Sequence, residues 1–151
     1  MNAGSEILEK WIEKVAESHP QSAAALRAPQ PDPFRNPIGY TIRNGLAQLW
    51  EQLQGDMDPD AIDSALDNIL RIRAVQDMPG SEAASFVIPL RAILSQASGT
   101  FDLDLLDNRI DRLAQAAWGK YKQCRDQIGA ARLHETARLA RTHRLIRKAG
   151  A

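Results

Sequence analysis

Three histidines, His19, His134 and His143, and one cysteine, Cys124, are the side chains of this 151-residue chain best suited to metal binding or nucleophilic chemistry. Their spacing supports neither. A structural zinc site draws four Cys or His ligands at short intervals, and nothing of that kind occurs. There is no HExxH, no GxSxG and no glycine-rich phosphate loop. No catalytic residue, metal ligand or cofactor-binding residue is therefore assigned, and the chain reads as a non-enzyme. His19 reads as a helix-end residue, and His134 and His143 as members of a solvated basic face. Cys124 falls on an apolar stripe, where a packed thiol is the simpler reading because nothing nearby in sequence lowers its pKa.

Arg71 and Arg73 interrupt an apolar stretch. Two residues apart, they point about 200° apart round a helix, so one is expected to pair with a buried acid or carbonyl and the other to meet solvent. Anchoring and ligand recognition are both open for them. Gln76 and Asp77, just before the corner Met78-Pro79-Gly80, either cap that corner or line a pocket.

The strongest chemical signal is charge placement. The chain carries 19 basic and 19 acidic residues. From Arg125 to the end, however, seven bases face only Asp126 and Glu135, a surplus of +5, so the preceding 124 residues carry −5. Arg132, Arg138, Arg141, Arg144, Arg147 and Lys148 are the candidate partner-binding residues. Four of them recur every three positions, drifting about 60° per step, and so cover one broad side of a helix. Asp102, Asp104 and Asp107 near that helix's start suit its dipole, but the bases at its end outnumber what a dipole accounts for. Docking on an acidic protein surface, including that of a sister subunit, is the preferred reading. Nucleic acid is the rival, disfavoured because no aromatics separate the bases and no helix-turn-helix signature occurs.

The elements that must position these residues follow from helical periodicity and from Asx-proline and Pro-Gly punctuation. Ser5 is read as the cap of a helix to about Ser18, with Leu8, Trp11, Ile12 and Val15 inward. A short helical turn is expected at Ser22 to Arg27. Next comes an extended connection holding Pro29, Pro31 and Pro33, with Phe34 pinning it to the core. Asn36-Pro37 starts a helix to Gln54 and Asp58-Pro59 starts another, since Asn or Asp caps and proline fits the first turn. Ser81 and Glu82 are read as the start of a helix with Ala83, Phe86, Val87, Leu90, Ile93, Leu94 and Ala97 inward, bent at Pro89. Gly99 breaks the pattern. Asp102 opens the longest helix, whose stripe runs through Leu106, Ile110, Leu113, Ala117, Tyr121, Cys124 and Ile128, with a pause or kink expected near Gly129. No alternating run reads as a strand. Trp11, Trp50 and Trp118 are read as core anchors. Leu105 and Trp118 add apolar surface beyond the stripe of the last helix, which points to a homodimer face.

Composition agrees with one all-α domain: 44% apolar and 25% charged residues are ordinary for a globular chain. No apolar run nears the roughly 20 residues of a bilayer span. The acidic, amphipathic start is unlike a signal peptide, and one cysteine excludes an internal disulfide. The expected location is the cytoplasm.

Two blocks, NPIGYTIRNGL from Asn36 to Leu46 and RIRAVQDMPGSEAASFVIPL from Arg71 to Leu90, resemble the RsbT co-antagonist RsbRD N-terminal domain family over roughly residues 5 to 128. Asn36, Pro37, Arg71, Arg73, Gln76 and Pro79 are the structural motif residues within them. The resemblance implies a haem-free, globin-like helical bundle with a long C-terminal helix, occupying residues 1–128 and followed by a basic helical extension over 129–151. It also implies a non-catalytic sensory, regulatory or adaptor role through protein-protein interaction, here without the further signalling domain of RsbR-type proteins, and pairing through the last helices. The family carries no catalytic residues to transfer. The alternative is a small-ligand or haem-binding globin-type sensor. Haem iron, however, is held by a proximal histidine, expected mid-chain, and no histidine lies between Pro37 and Ala131.

Overall fold

Two Asx-proline corners start the helices at the centre of the fold. In the computed structural model, which describes residues 3–18, 20–28, 32–76, 78–80, 84–97 and 101–150, Asn36 Oδ1 accepts the Gly39 N–H at 3.1 Å with Pro37 in the first turn. Asp58 accepts from the Asp60 N–H with Pro59 behind it. These are capping bonds that satisfy free N–H groups at a helix start.

The chain runs α1 (Ala3–Glu17), α2 (Pro20–Arg27), α3 (Pro37–Gln54), α4 (Pro59–Val75), a 3-10 turn (Ser85–Val87), α5 (Pro89–Ser95) and α6 (Leu103–Gly150). Among the described residues there is no strand, and no helix is long and apolar enough to cross a membrane. The all-α expectation therefore holds, with a long C-terminal helix. His19, Asp77, Ser81, Glu82, Ala83 and Gly99 lie outside the described residues.

Helix α4 lies between α3 and the first half of α6, while α1 packs on α2, α3 and α5. Their apolar rows meet in one core: Ile42, Leu46, Leu49 and Leu53 of α3, Leu66, Ile69 and Leu70 of α4, and Ile110, Leu113 and Ala117 of α6. Burying each large aliphatic side chain contributes roughly 1.5–3 kcal/mol. Trp11 is wholly buried, stacks on Phe86 at 6.2 Å between centroids and donates its Nε1–H to the Phe86 carbonyl at 2.6 Å. The indole thus fills volume without leaving an unpaired donor.

Two glycines of the first motif block allow close helix approach. A Cβ at Gly39 would lie 2.4 Å from the Ala25 carbonyl oxygen, and one at Gly45 would lie 2.8 Å from the Ile69 side chain. Between α3 and α4, Met57 takes a φ of 52° with its side chain buried. Left-handed backbone is costly for a side chain of this size, and the corner is fixed from outside: Arg109 Nη1 on α6 donates to the carbonyls of Leu53 at 2.7 Å and Gly55 at 2.9 Å.

Several expectations are corrected. Helix α1 begins at Ala3, so Ser5 lies inside it rather than capping it. Phe34 is 94% exposed and does not pin its loop; Asp32 does, its Oδ1 accepting the Phe34 N–H and its carbonyl accepting the Asn36 N–H. Pro89 does not bend a helix. It occupies the first turn of α5, where no N–H is needed, and the chain before it tightens into the 3-10 turn. Helix α6 passes Gly129 without interruption and spans 48 residues, roughly 70 Å at 1.5 Å per residue.

Candidate functional site

The two motif blocks meet in one place. Pro37, Ile38 and Thr41 of α3 face Asn68, Arg71, Ile72, Val75 and Gln76 across an open, mainly apolar groove of about 440 Å³. Next to it in sequence, Asn36 donates from Nδ2 to the Ala25 carbonyl at 2.8 Å while capping α3, so that one side chain ties the end of α2 to the start of α3. Ile38 and Val75 stay 39% and 58% exposed at its rim. The volume is in the range of small-molecule pockets.

Arg71 stands at one end, its guanidinium donating to Asp67 at 2.8 Å and to Gln127 Oε1 of α6 at 3.0 Å. The Arg71 hydrogen bonds hold the Asp67 carboxyl below the usual carboxylate range. Gln76 caps α4 through its backbone and reaches Ser22 Oγ with Nε2 at 3.5 Å; its Oε1 is buried with no hydrogen-bond donor among the described residues. Arg73 points the other way. It is 1% exposed, with its guanidinium carbon 5.2 Å from the centroid of the Phe86 ring that Trp11 also stacks on. Burial pulls it down to about 10, and it stays cationic at neutral pH. The two arginines thus part as their spacing predicts, Arg73 buried against the Phe86 ring and Arg71 at the surface. Pro79 is exposed, outside the groove.

Sequence reading missed the groove because Ile38 and Ile72 fit the core stripes of their helices. The available signal was a second row beside each stripe, Ile38 and Thr41 on α3 and Asn68, Ile72 and Val75 on α4.

The basic residues lie elsewhere. From Ala130 to Ala149 every side chain of α6 is exposed, so Arg132, Arg138, Arg141, Arg144, Arg147 and Lys148 project beyond the bundle together with His134 and His143. The row places Arg141, Arg144 and Lys148 around Leu145. Leu105 and Trp118, expected on one dimer face, are 45% and 44% exposed. Thirteen residues apart, they lie about 140° apart round the helix, so a single flat face does not hold both. Leu105 points outward. Trp118 stacks on Tyr121 at 6.3 Å, its ring lying so close to Gly80 that a Cβ there would sit 2.5 Å from it. Cys124 is fully buried, and burial pushes its thiol up. Among the described residues no group of three or more His, Cys, Asp or Glu could hold a metal ion.

Fold and groove together define an all-helical domain whose last helix runs on past its bundle. The chain matches, over residues 5–136, the family described as the RsbT co-antagonist protein rsbRD N-terminal domain, and it belongs to that family. No curated protein and no solved structure matches it.

Proposed function

We propose that the chain is a non-catalytic regulatory or adaptor module of the stressosome type, working in the cytoplasm through protein-protein contacts. In this reading a globin-like body over residues 1–128 supports a contact helix over 129–151, and the contacts include a homodimer and an acidic partner surface. The observation that carries it is the projecting half of α6, a helix with six bases and one acid between Ala130 and Ala149 in which every side chain is exposed. A lone packed thiol, Cys124, fits a reducing compartment.

Capture from host extract tests the reading. The full chain is expected to retain an acidic protein that a variant with Arg138, Arg141, Arg144 and Arg147 replaced by Gln loses. The same proteins on both baits, or none, would contradict it. The groove favours a second reading, a small-ligand or haem sensor. Hemin titration is expected to give no stoichiometric Soret band; a saturable band with defined axial ligation would move the assignment to a haem sensor.

A further inference from the structure

We propose that the groove between α3 and α4 binds a small amphipathic monocarboxylate, with its head group on Arg71 and the first turn of α3 and its apolar body along Ile72 and Val75. This rests on the second reading above, a small-ligand sensor, and names the class of ligand.

The backbone around the groove is unbalanced. At the α4 end the carbonyls are taken: the Gln76 N–H donates to the Ile72 carbonyl at 3.1 Å, the Met78 N–H to that of Arg73 at 3.2 Å, and Arg125 Nη1 to that of Ala74 at 3.2 Å. At the α3 end a donor is left over. Asn36 Oδ1 caps Gly39 and Pro37 has no N–H, so the Ile38 N–H of the first turn has no acceptor among the described residues. It stands at the positive end of an 18-residue helix, where anions are favoured.

The side chains repeat the imbalance. Among the described residues that line the groove only Arg71 is charged. Its Nε and Nη2 are engaged by Asp67, and Nη2 also by Gln127 Oε1 at 3.0 Å, which leaves Nη1 without an acceptor among the described residues. Held in this way, the guanidinium meets a ligand with little rotamer freedom left to lose. Asp67 does not cancel it toward the groove. Lys120 stands 3.9 Å from the same carboxylate, and the alternating row Asp63, Lys120, Asp67, Arg71 ends on the groove in its cation. Gln76 Oε1, the buried acceptor, is closed to solvent and so out of a head group's reach.

Open donors, filled acceptors and a single cation call for a ligand that brings an anionic acceptor, and the apolar walls call for a hydrocarbon body behind it. A volume of about 440 Å³ corresponds to roughly 15 non-hydrogen atoms at the ~30 Å³ that a water takes up in the liquid. That is the size of a carboxylate with a short chain or a single ring. Its head group would sit one side chain from the root of the projecting helix, because Arg71 also holds Gln127 and every side chain from Ala130 to Ala149 is exposed.

Octanoate, 1-octanol and octylamine, titrated into the full chain by calorimetry, test the site. Octanoate is expected to saturate one site with a dissociation constant of roughly 0.1–1 mM, the range for a ligand of this size. Octanol should bind about tenfold more weakly and octylamine not at all, since a charge-assisted hydrogen bond is about twice as strong as a neutral one. Arg71→Gln should lower octanoate affinity roughly tenfold and leave octanol unchanged, Arg71→Lys should recover part of the loss, and Val75→Trp should abolish both by filling the groove. Both positions are exposed, so each variant is expected to keep the helix content of the wild type by circular dichroism. In amide NMR spectra octanoate should move the Ile38 and Arg71 signals. Octanol binding as tightly as octanoate, or octanoate binding unaltered by Arg71→Gln, overturns the anionic class while leaving a ligand groove. Binding of none of the three overturns the site and the small-ligand reading together. Shifts confined to Arg141, Arg144 and Lys148 would put the anion on the basic extension and overturn the groove.

Discussion

Cys124 sits on the inward face of α6 with its Sγ 3.8 Å from Asp67 Oδ1, fully buried. Burial first, and the neighbouring carboxylate after it, push the thiol above its ordinary value, against the pull of Arg71 and Lys120. The neutral form is favoured in the folded chain, so the stability that this thiol lends is complete below the unfolded thiol pKa, about 8.5. It is lost as pH rises through the higher folded value. Native protein is therefore expected to resist alkylation by iodoacetamide between pH 7 and 9 while the urea-unfolded chain reacts readily; equal rates would mean that the thiol is open to solvent. Asp67 works in the opposite direction. The Arg71 hydrogen bonds lower its pKa, so its contribution is present above the ordinary carboxylate range and is lost as pH falls through the depressed value. Arg71 is 45% exposed, and the pair is a minor support of the fold.

At the level of elements, the packing of α2 and α4 on α3 depends on missing side chains. Gly39→Ala would drive a methyl group against the Ala25 carbonyl, a backbone atom that cannot rotate aside. The expected loss is about 1–3 kcal/mol in urea unfolding. Gly119→Ala, on the open side of α6, should gain up to about 1 kcal/mol from helix propensity. A neutral Gly39→Ala would show that α2 stands off from α3. Sequence alone could not rank these glycines, because the cost of a Cβ depends on what crosses the helix there. The helix starts were legible, since Asn36-Pro37, Asp58-Pro59 and Asp102 are local chemistry that tertiary packing did not have to decide. Asp102 Oδ1 indeed accepts the Leu105 N–H at 3.1 Å. The behaviour of Pro89 and Phe34 was not legible. A proline in an apolar row fits a kink or a new first turn equally well, and only the 3-10 turn ahead of it settles which. An aromatic in a proline-rich loop carries no record of whether the loop reaches the core. The groove was hidden for a related reason: its lining residues flank the core stripes, and only the α3-α4 contact shows which of them stay uncovered.

On the scale of the whole molecule, α6 has two halves with different support. Its first half closes the bundle over α4, carrying Leu106, Ile110, Leu113, Ala117, Tyr121 and Cys124 into the core. Its second half, from Ala130, is solvated on every side and holds the charge asymmetry that the sequence displays openly. A helix without a packed face opens locally at little cost, whereas one in the core opens only with much of the fold. Amide hydrogen exchange of the full chain at two concentrations reads this difference directly. Strong protection over 103–128 at all concentrations is expected, with residues 131–148 exchanging fast in dilute protein and slowing at tens of micromolar as a second copy covers them. Protection of 131–148 equal to that of 103–128 in dilute protein would contradict an unsupported contact helix and place the extension in the core.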